Sequence, residues 1–193
     1  GAASLVRPCR YGQIVPIAEG MRVRFSDIGH LLGSACIEFW LQEGGIEKKI
    51  VFSGDVGNID QPILNDPQPV AETDYLVVES TYGNRLHDKP KDVRAELTDV
   101  LQRAFDRGGS VIIPAFAVGR TQELLYLLRE IKQKKLVHGH DGFPVYLDSP
   151  LAEEATSVFL QCDTDCFDPE TQEVLKSGQN PIWCPGLQLA LTA

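Results

Sequence analysis

Two polar side chains stand at the ends of successive apolar, strand-like runs. His30 lies in DIGHLLGSACIEF and Asp55 in KKIVFSGDVGN, each embedded in glycine and serine. Imidazole nitrogen and carboxylate oxygen are the usual donors of a hydrolytic zinc site. A third group, Glu79, ends the apolar run DYLVVEST, which brings another carboxylate to the same rim as Asp55. Gly29, Gly33, Gly54 and Gly57 let the backbone turn tightly there and approach a ligand closely. A strand-end histidine or aspartate also serves as a turn former or cap, so the pair by itself leaves both readings open.

Further along, Phe116 to Gln122 joins a strand end to a helix start through Gly119, with Arg120 in the first turn. Free backbone N–H groups favour an anion at such a position, and a guanidinium can fork onto phosphate oxygens; a surface ion pair for Arg120 is the even alternative. Ser149, after FPVYLD, is a second candidate phosphate contact. Trp40, Trp183 and Tyr82 could stack bases, although isolated aromatics more often pack. VHGHDG reads as a polar loop rather than a ligand cluster.

The elements that must position these residues change in kind along the chain. MRVRFSDIG, ACIEFWLQEGG and EKKIVFSGD alternate with period two and are joined by short connections, which predicts an antiparallel meander. In the second run Ile37, Phe39 and Leu41 alternate with Glu38, Trp40 and Gln42. Residues 59–73 hold Pro62, Pro67 and Pro69 and read as a loop, and DYLVVEST suits a buried strand. After Pro90 helix and strand alternate. A stripe of Val93, Leu97, Val100, Leu101 and Ala104 ends at Gly108; SVIIPAFA reads as a strand; Thr121 to Lys135 buries Leu124, Leu125, Leu128 and Ile131. FPVYLDS is the next strand, and helices follow near Glu153 to Leu160 and Pro169 to Lys176. This rhythm implies a parallel sheet with covering helices.

Taken together, GHLLGSA around His30, FSGDVGN around Asp55, VVESTYGNRLH from Val77, IIPAFAVGRTQELLYLL from Ile112, VYLDSPLA from Val145 and PGLQLALTA from Pro185 resemble the metallo-β-lactamase superfamily. The specific likeness is to its β-CASP branch of RNA-processing nucleases. The resemblance implies an α/β fold: a partial metallo-β-lactamase (αββα) sheet over residues 1–88, then a partial parallel-sheet β-CASP domain over 89–193. It implies His30 as a terminal zinc ligand, Asp55 as the carboxylate bridging two zinc ions, and Glu79 as an acid that orients the metal shell. His87 stands where the family shows a histidine, and is equally readable as an exposed loop residue. The family's His-x-His-x-Asp-His run is absent. The chain therefore reads as an internal fragment of a zinc-dependent RNA-cleaving phosphodiesterase, expected to be inactive alone and to hold no zinc tightly. Two alternatives remain: a non-catalytic RNA-binding or scaffold module, and a small-molecule metallo-hydrolase, against which the β-CASP-like half argues.

Composition bounds these readings. The 193 residues are 43% hydrophobic, enough for one or two folded domains. A net charge of −9 lacks the basic stripe that usually supplies affinity for single-stranded RNA, the partner the resemblance implies. Five scattered cysteines, no run of eighteen apolar residues and no charged-then-apolar leader set the expectation of a cytoplasmic protein with reduced thiols and no membrane span. Oligomerisation is left open.

Overall fold

Strands form where β-branched and aromatic residues alternate with polar ones, and the first half of the chain supplies such runs in succession. The computed structural model describes residues 2–86 and 92–190. The chain divides into two compact units, 1–86 and 87–193. In the first, β1 (Ile14–Ala18), β2 (Met21–Asp27), β3 (Ala35–Glu43) and β4 (Ile46–Phe52) pair as antiparallel neighbours, and β5 (Tyr75–Val77) joins β4 in parallel. The three expected strands are therefore present as β2 to β4. The additional β1 was not read from the sequence because Pro16 interrupts its pattern, and its pairing with β2 shifts register between Pro16 and Ala18.

Opposed residues in an antiparallel ladder share a face. Arg24, Glu38 and Val51 lie on one side of the sheet, and Val23, Phe39 and Ile50 on the other. Glu38, one of the polar positions in the β3 alternation, is in fact fully buried. Arg24 grips it through two bonds of 2.7 and 2.8 Å, Ser26 donates at 3.0 Å, and the Lys49 ammonium lies 2.7 Å away. Trp40 sits beside this cluster with Arg22, Arg24 and Lys49 all 5.3–5.5 Å from its ring centre. Those cations make Trp40 part of the sheet rather than a free stacking platform. Ile28, Cys36 and Val51, with Val70 against them, form the adjoining apolar core.

The run DYLVVEST differs from its expected form. It contributes only the short β5, and Tyr75, Leu76, Val77 and Val78 are 52–58% exposed. The physical reason is position: β5 is the last strand of the sheet, with one edge paired to β4 and, among the described residues, no strand on the other.

In the second unit, α1 (Val93–Asp106), α2 (Arg120–Gln133), α3 (Pro150–Gln161) and α4 (Pro169–Lys176) accompany a parallel pair, β6 (Val145–Leu147) with β7 (Leu187–Leu189). The class is α/β as expected. Helix α2 is the central element, burying Leu125, Tyr126, Leu127, Leu128 and Ile131. Of the α1 stripe only Leu101 is buried. The run SVIIPAFA forms no ladder among the described residues. Pro114 removes a donor from its middle, and Val111, Ile113 and Ala115 instead line a cavity of about 620 Å³ that β6 also borders. No described helix is long and apolar enough to cross a membrane.

The Glu38 cluster generates a pH prediction. Burial raises its carboxyl, but the bonds from Arg24, Lys49 and Ser26 outweigh burial and bring it from 4.5 down to about 2. An unfolded chain takes up that proton more readily, so the contribution is complete above about pH 4.5 and is lost as pH falls toward about 2, with a size on the order of 3 kcal/mol. Glu38→Gln should lower stability at neutral pH by a similar amount, since it leaves Arg24 and Lys49 without their counter-charge. It should also show a shallower loss in acid, followed by Trp40 fluorescence in a Trp183→Phe background. An acid profile as steep as that of wild type would contradict this.

Candidate functional site

Strand direction decides where the candidate residues meet. Strand β3 runs opposite to β2 and to β4, so β2 and β4 point the same way, and the parallel β5 follows them. The carboxyl ends of all three open onto one rim. From that rim emerge the loop with His30, the loop with Asp55 and the segment with Glu79. The β4–β5 connection holds three prolines and lets β5 run parallel to β4 back to the same rim, where the Ser53 N–H donates to the Val77 carbonyl at 2.9 Å.

The three side chains are brought together there. His30 Nε2 lies 3.9 Å from Asp55 Oδ2, and both are open to solvent, with the Asp55 side chain 76% exposed. Glu79 does not compete for the same space: its Oε1 accepts the Val56 N–H at 2.8 Å and its Oε2 the Thr81 N–H at 3.4 Å. The Thr81 side chain and then the Val56 N–H hold the Glu79 carboxyl below the usual range, with the nearby His30 adding to the effect. Glu79 is tethered in turn by its own N–H, which donates to Ser53 Oγ at 3.1 Å. Ser53, buried and not singled out from the sequence, thus links the end of β4 to the end of β5. Its signal was its place just before the glycine and aspartate of the β4 loop.

The donor chemistry fits zinc in part. Two donors each about 2.0–2.1 Å from one zinc at a tetrahedral angle stand about 3.4 Å apart, within a small side-chain rotation of the His30–Asp55 spacing. A tetrahedral shell needs further donors, and no group of three or more His, Cys, Asp or Glu residues among the described residues is placed to hold a metal. In the second unit His140 bonds Asp106 at 3.0 Å and the VHGHDG segment is a turn, as its polarity suggested.

The expected phosphate contacts are engaged elsewhere. Arg120 opens α2 but reaches Glu123 at 2.6 Å, so its guanidinium is not idle; burial raises the Glu123 carboxyl, and the charge of Arg120 opposes that. The loop before α2 is held by Gln122, fully buried, which accepts the Gly119 N–H at 2.7 Å and donates to the Ala117 carbonyl at 3.1 Å and to Thr156 Oγ1 at 3.0 Å. Ser149 caps α3, its Oγ accepting the Ala152 N–H at 3.2 Å. His87 lies outside the described residues.

The chain is similar in sequence to known proteins. The description of the Beta-Casp domain matches residues 121–192. Ribonuclease TTHA0252 of Thermus thermophilus is 34% identical over 186 residues, covering 95% of this chain and 40% of that protein. An RNase J-like protein of Methanocaldococcus jannaschii is 34% identical over 170 residues, 86% of this chain and 38% of its own length. Endoribonuclease YSH1 of Kluyveromyces lactis is 30% identical over 167 residues, 85% of this chain and 21% of that protein. The chain spans at most 40% of the length of these relatives.

The Glu79 tether is directly testable. Glu79→Ala removes the acceptor of the Val56 N–H, so amide exchange at Val56 should accelerate by about tenfold or more while exchange in β3 and β4 is unchanged. Equal exchange at Val56 in variant and wild type would show that the Asp55 loop holds its shape without Glu79.

Proposed function

The chain belongs to the β-CASP branch of the metallo-β-lactamase superfamily, and from that premise we propose that it carries part of the active centre of a zinc-dependent, RNA-cleaving phosphodiesterase. The observation that carries this reading is the convergence of His30, Asp55 and Glu79 on one rim. Relatives described as a ribonuclease and an endoribonuclease give it its substrate class.

In a protein of the relatives' length, His30 and Asp55 would help to hold zinc, the remaining donors coming from outside this chain. When bound, zinc supplies Lewis acidity and water made acidic enough to attack a phosphodiester at neutral pH. The chain's own residues hold the geometry for that chemistry. Glu79 pins the Asp55 loop through Val56 and orients the rim beside His30. Arg120, 60% exposed at its side chain, would exchange Glu123 for a backbone phosphate of single-stranded RNA, and the Ser149 hydroxyl would donate to another. His87 is retained as a substrate contact on family resemblance alone. A cytoplasmic setting belongs to the same proposal, in keeping with five cysteines scattered without paired spacing. The 193 residues alone are proposed to be inactive.

Two substitutions in a protein of the relatives' length test this. Asp55→Ala should reduce RNA cleavage by about a thousandfold or more, because its loss removes a metal ligand, with melting of the zinc-free protein unchanged, because the side chain is exposed. Cleavage at the wild-type rate would reduce Asp55 to a turn former. Arg120→Ala should weaken RNA affinity and lower the salt slope by about 0.7, the signature of one lost single-strand phosphate contact. An unchanged slope with markedly lower melting would assign Arg120 to its ion pair with Glu123.

A further inference from the structure

We infer that Ser34 and Gly57 are positioning residues that set the separation between His30 and Asp55. The use of that spacing rests on the metal reading above; the spacing itself does not. The loops 28–34 and 53–58 leave β2 and β4, the two neighbours of β3, at the same end of the sheet, and Gly57 joins the loops backbone to backbone. Its N–H donates to the Ile28 carbonyl at 2.9 Å. A Cβ built on Gly57 would lie 1.8 Å from the Gly29 oxygen and 2.6 Å from the His30 nitrogen, closer than any side chain can approach. No unusual backbone angle explains this glycine; the lack of room does.

The His30 loop is also held from its other side. Gly29, at φ +64°, has the Asn65 oxygen and Pro67 so near that a Cβ there would meet them at 2.7 and 2.9 Å. Asp27 Oδ1 accepts the Gly29 N–H at 2.9 Å. The backbone before His30 is therefore clamped between residues 65–67 and Gly57.

From within the loop, Ser34 Oγ accepts both the His30 N–H at 3.2 Å and the Leu31 N–H at 3.1 Å. The Ser34 carbonyl accepts the Tyr11 hydroxyl at 2.8 Å, and its N–H donates to the Leu31 carbonyl at 2.9 Å. The Ser34 side chain gathers the histidine's own N–H, and the Ser34 backbone anchors the result to the segment before β1. Loss of the hydroxyl leaves the His30 backbone free to swing away from Gly57, and groups that orient a ligand in this way change metal affinity by about 10–100-fold.

The test uses the 193-residue chain in solution, by NMR. Wild type should show a strong nuclear Overhauser contact between Gly57 Hα and the His30 amide, with slowed exchange at His30 and Leu31. Ser34→Ala should lose the contact and exchange about tenfold faster or more at both amides, with melting little changed. Zinc added to the chain should shift the His30 signals with about tenfold weaker affinity in Ser34→Ala. Ser34→Thr, which keeps the hydroxyl, should restore all three readouts. Gly57→Ala should break the same contact while leaving the β2–β3–β4 ladder protected. A contact and exchange rates unaltered in Ser34→Ala, or not restored by Ser34→Thr, would overturn the inference. Zinc that leaves the His30 signals of wild type unmoved would instead sink the metal reading, with the Overhauser contact still deciding the positioning claim.

Discussion

Strand direction is the constraint on which the candidate site depends. Two reversals and one crossover leave β2, β4 and β5 pointing the same way, so three loops that are distant in sequence open at one rim. A rigid sheet then does for polar side chains what no single loop can, fixing their spacing through hydrogen bonds far from the side chains themselves. The His30–Asp55 separation is the sum of ladder register, the Ser53 link and the close contact of two glycines.

The sheet that carries this rim is held at its centre by a buried charged cluster. Its β2–β4 centre encloses a carboxylate with two cations and a hydroxyl, and Arg24, Lys49 and Arg22 surround Trp40. Desolvating those charges is costly, and only the full set of bonds to Glu38 offsets the cost. On the other face the edge-to-face contact of Phe39 with Phe52 adds packing, while β5 leaves apolar side chains in water. The order of the rim therefore rests on the β2–β4 centre and its charged cluster more than on its last strand.

Much of this was legible in the residues. Period-two alternation identified β2, β3 and β4, and glycine and serine around His30 and Asp55 marked strand ends where polar groups gather. Alternation could not tell a solvated glutamate from one enclosed by Arg24 and Lys49, because the cations lie on neighbouring strands and not beside it in sequence. The run SVIIPAFA failed as a strand for a related reason: apolar content is local, but a ladder needs a partner edge, and Pro114 weakens its claim to one. The Arg120–Glu123 pair was readable, since residues three apart face each other on a helix. The capping role of Ser149 was equally readable from the proline after it.

With a net charge of −9, the proposed RNA contact would depend on local groups rather than on a basic surface, which places the weight of the proposal on the rim. Its central claim is that this chain contributes His30 and Asp55 to a metal site and does not complete it. Metal analysis of the 193-residue chain after exhaustive dialysis tests that most directly. The account predicts far less than one zinc per chain, whereas one or two tightly retained zinc ions per chain would contradict it.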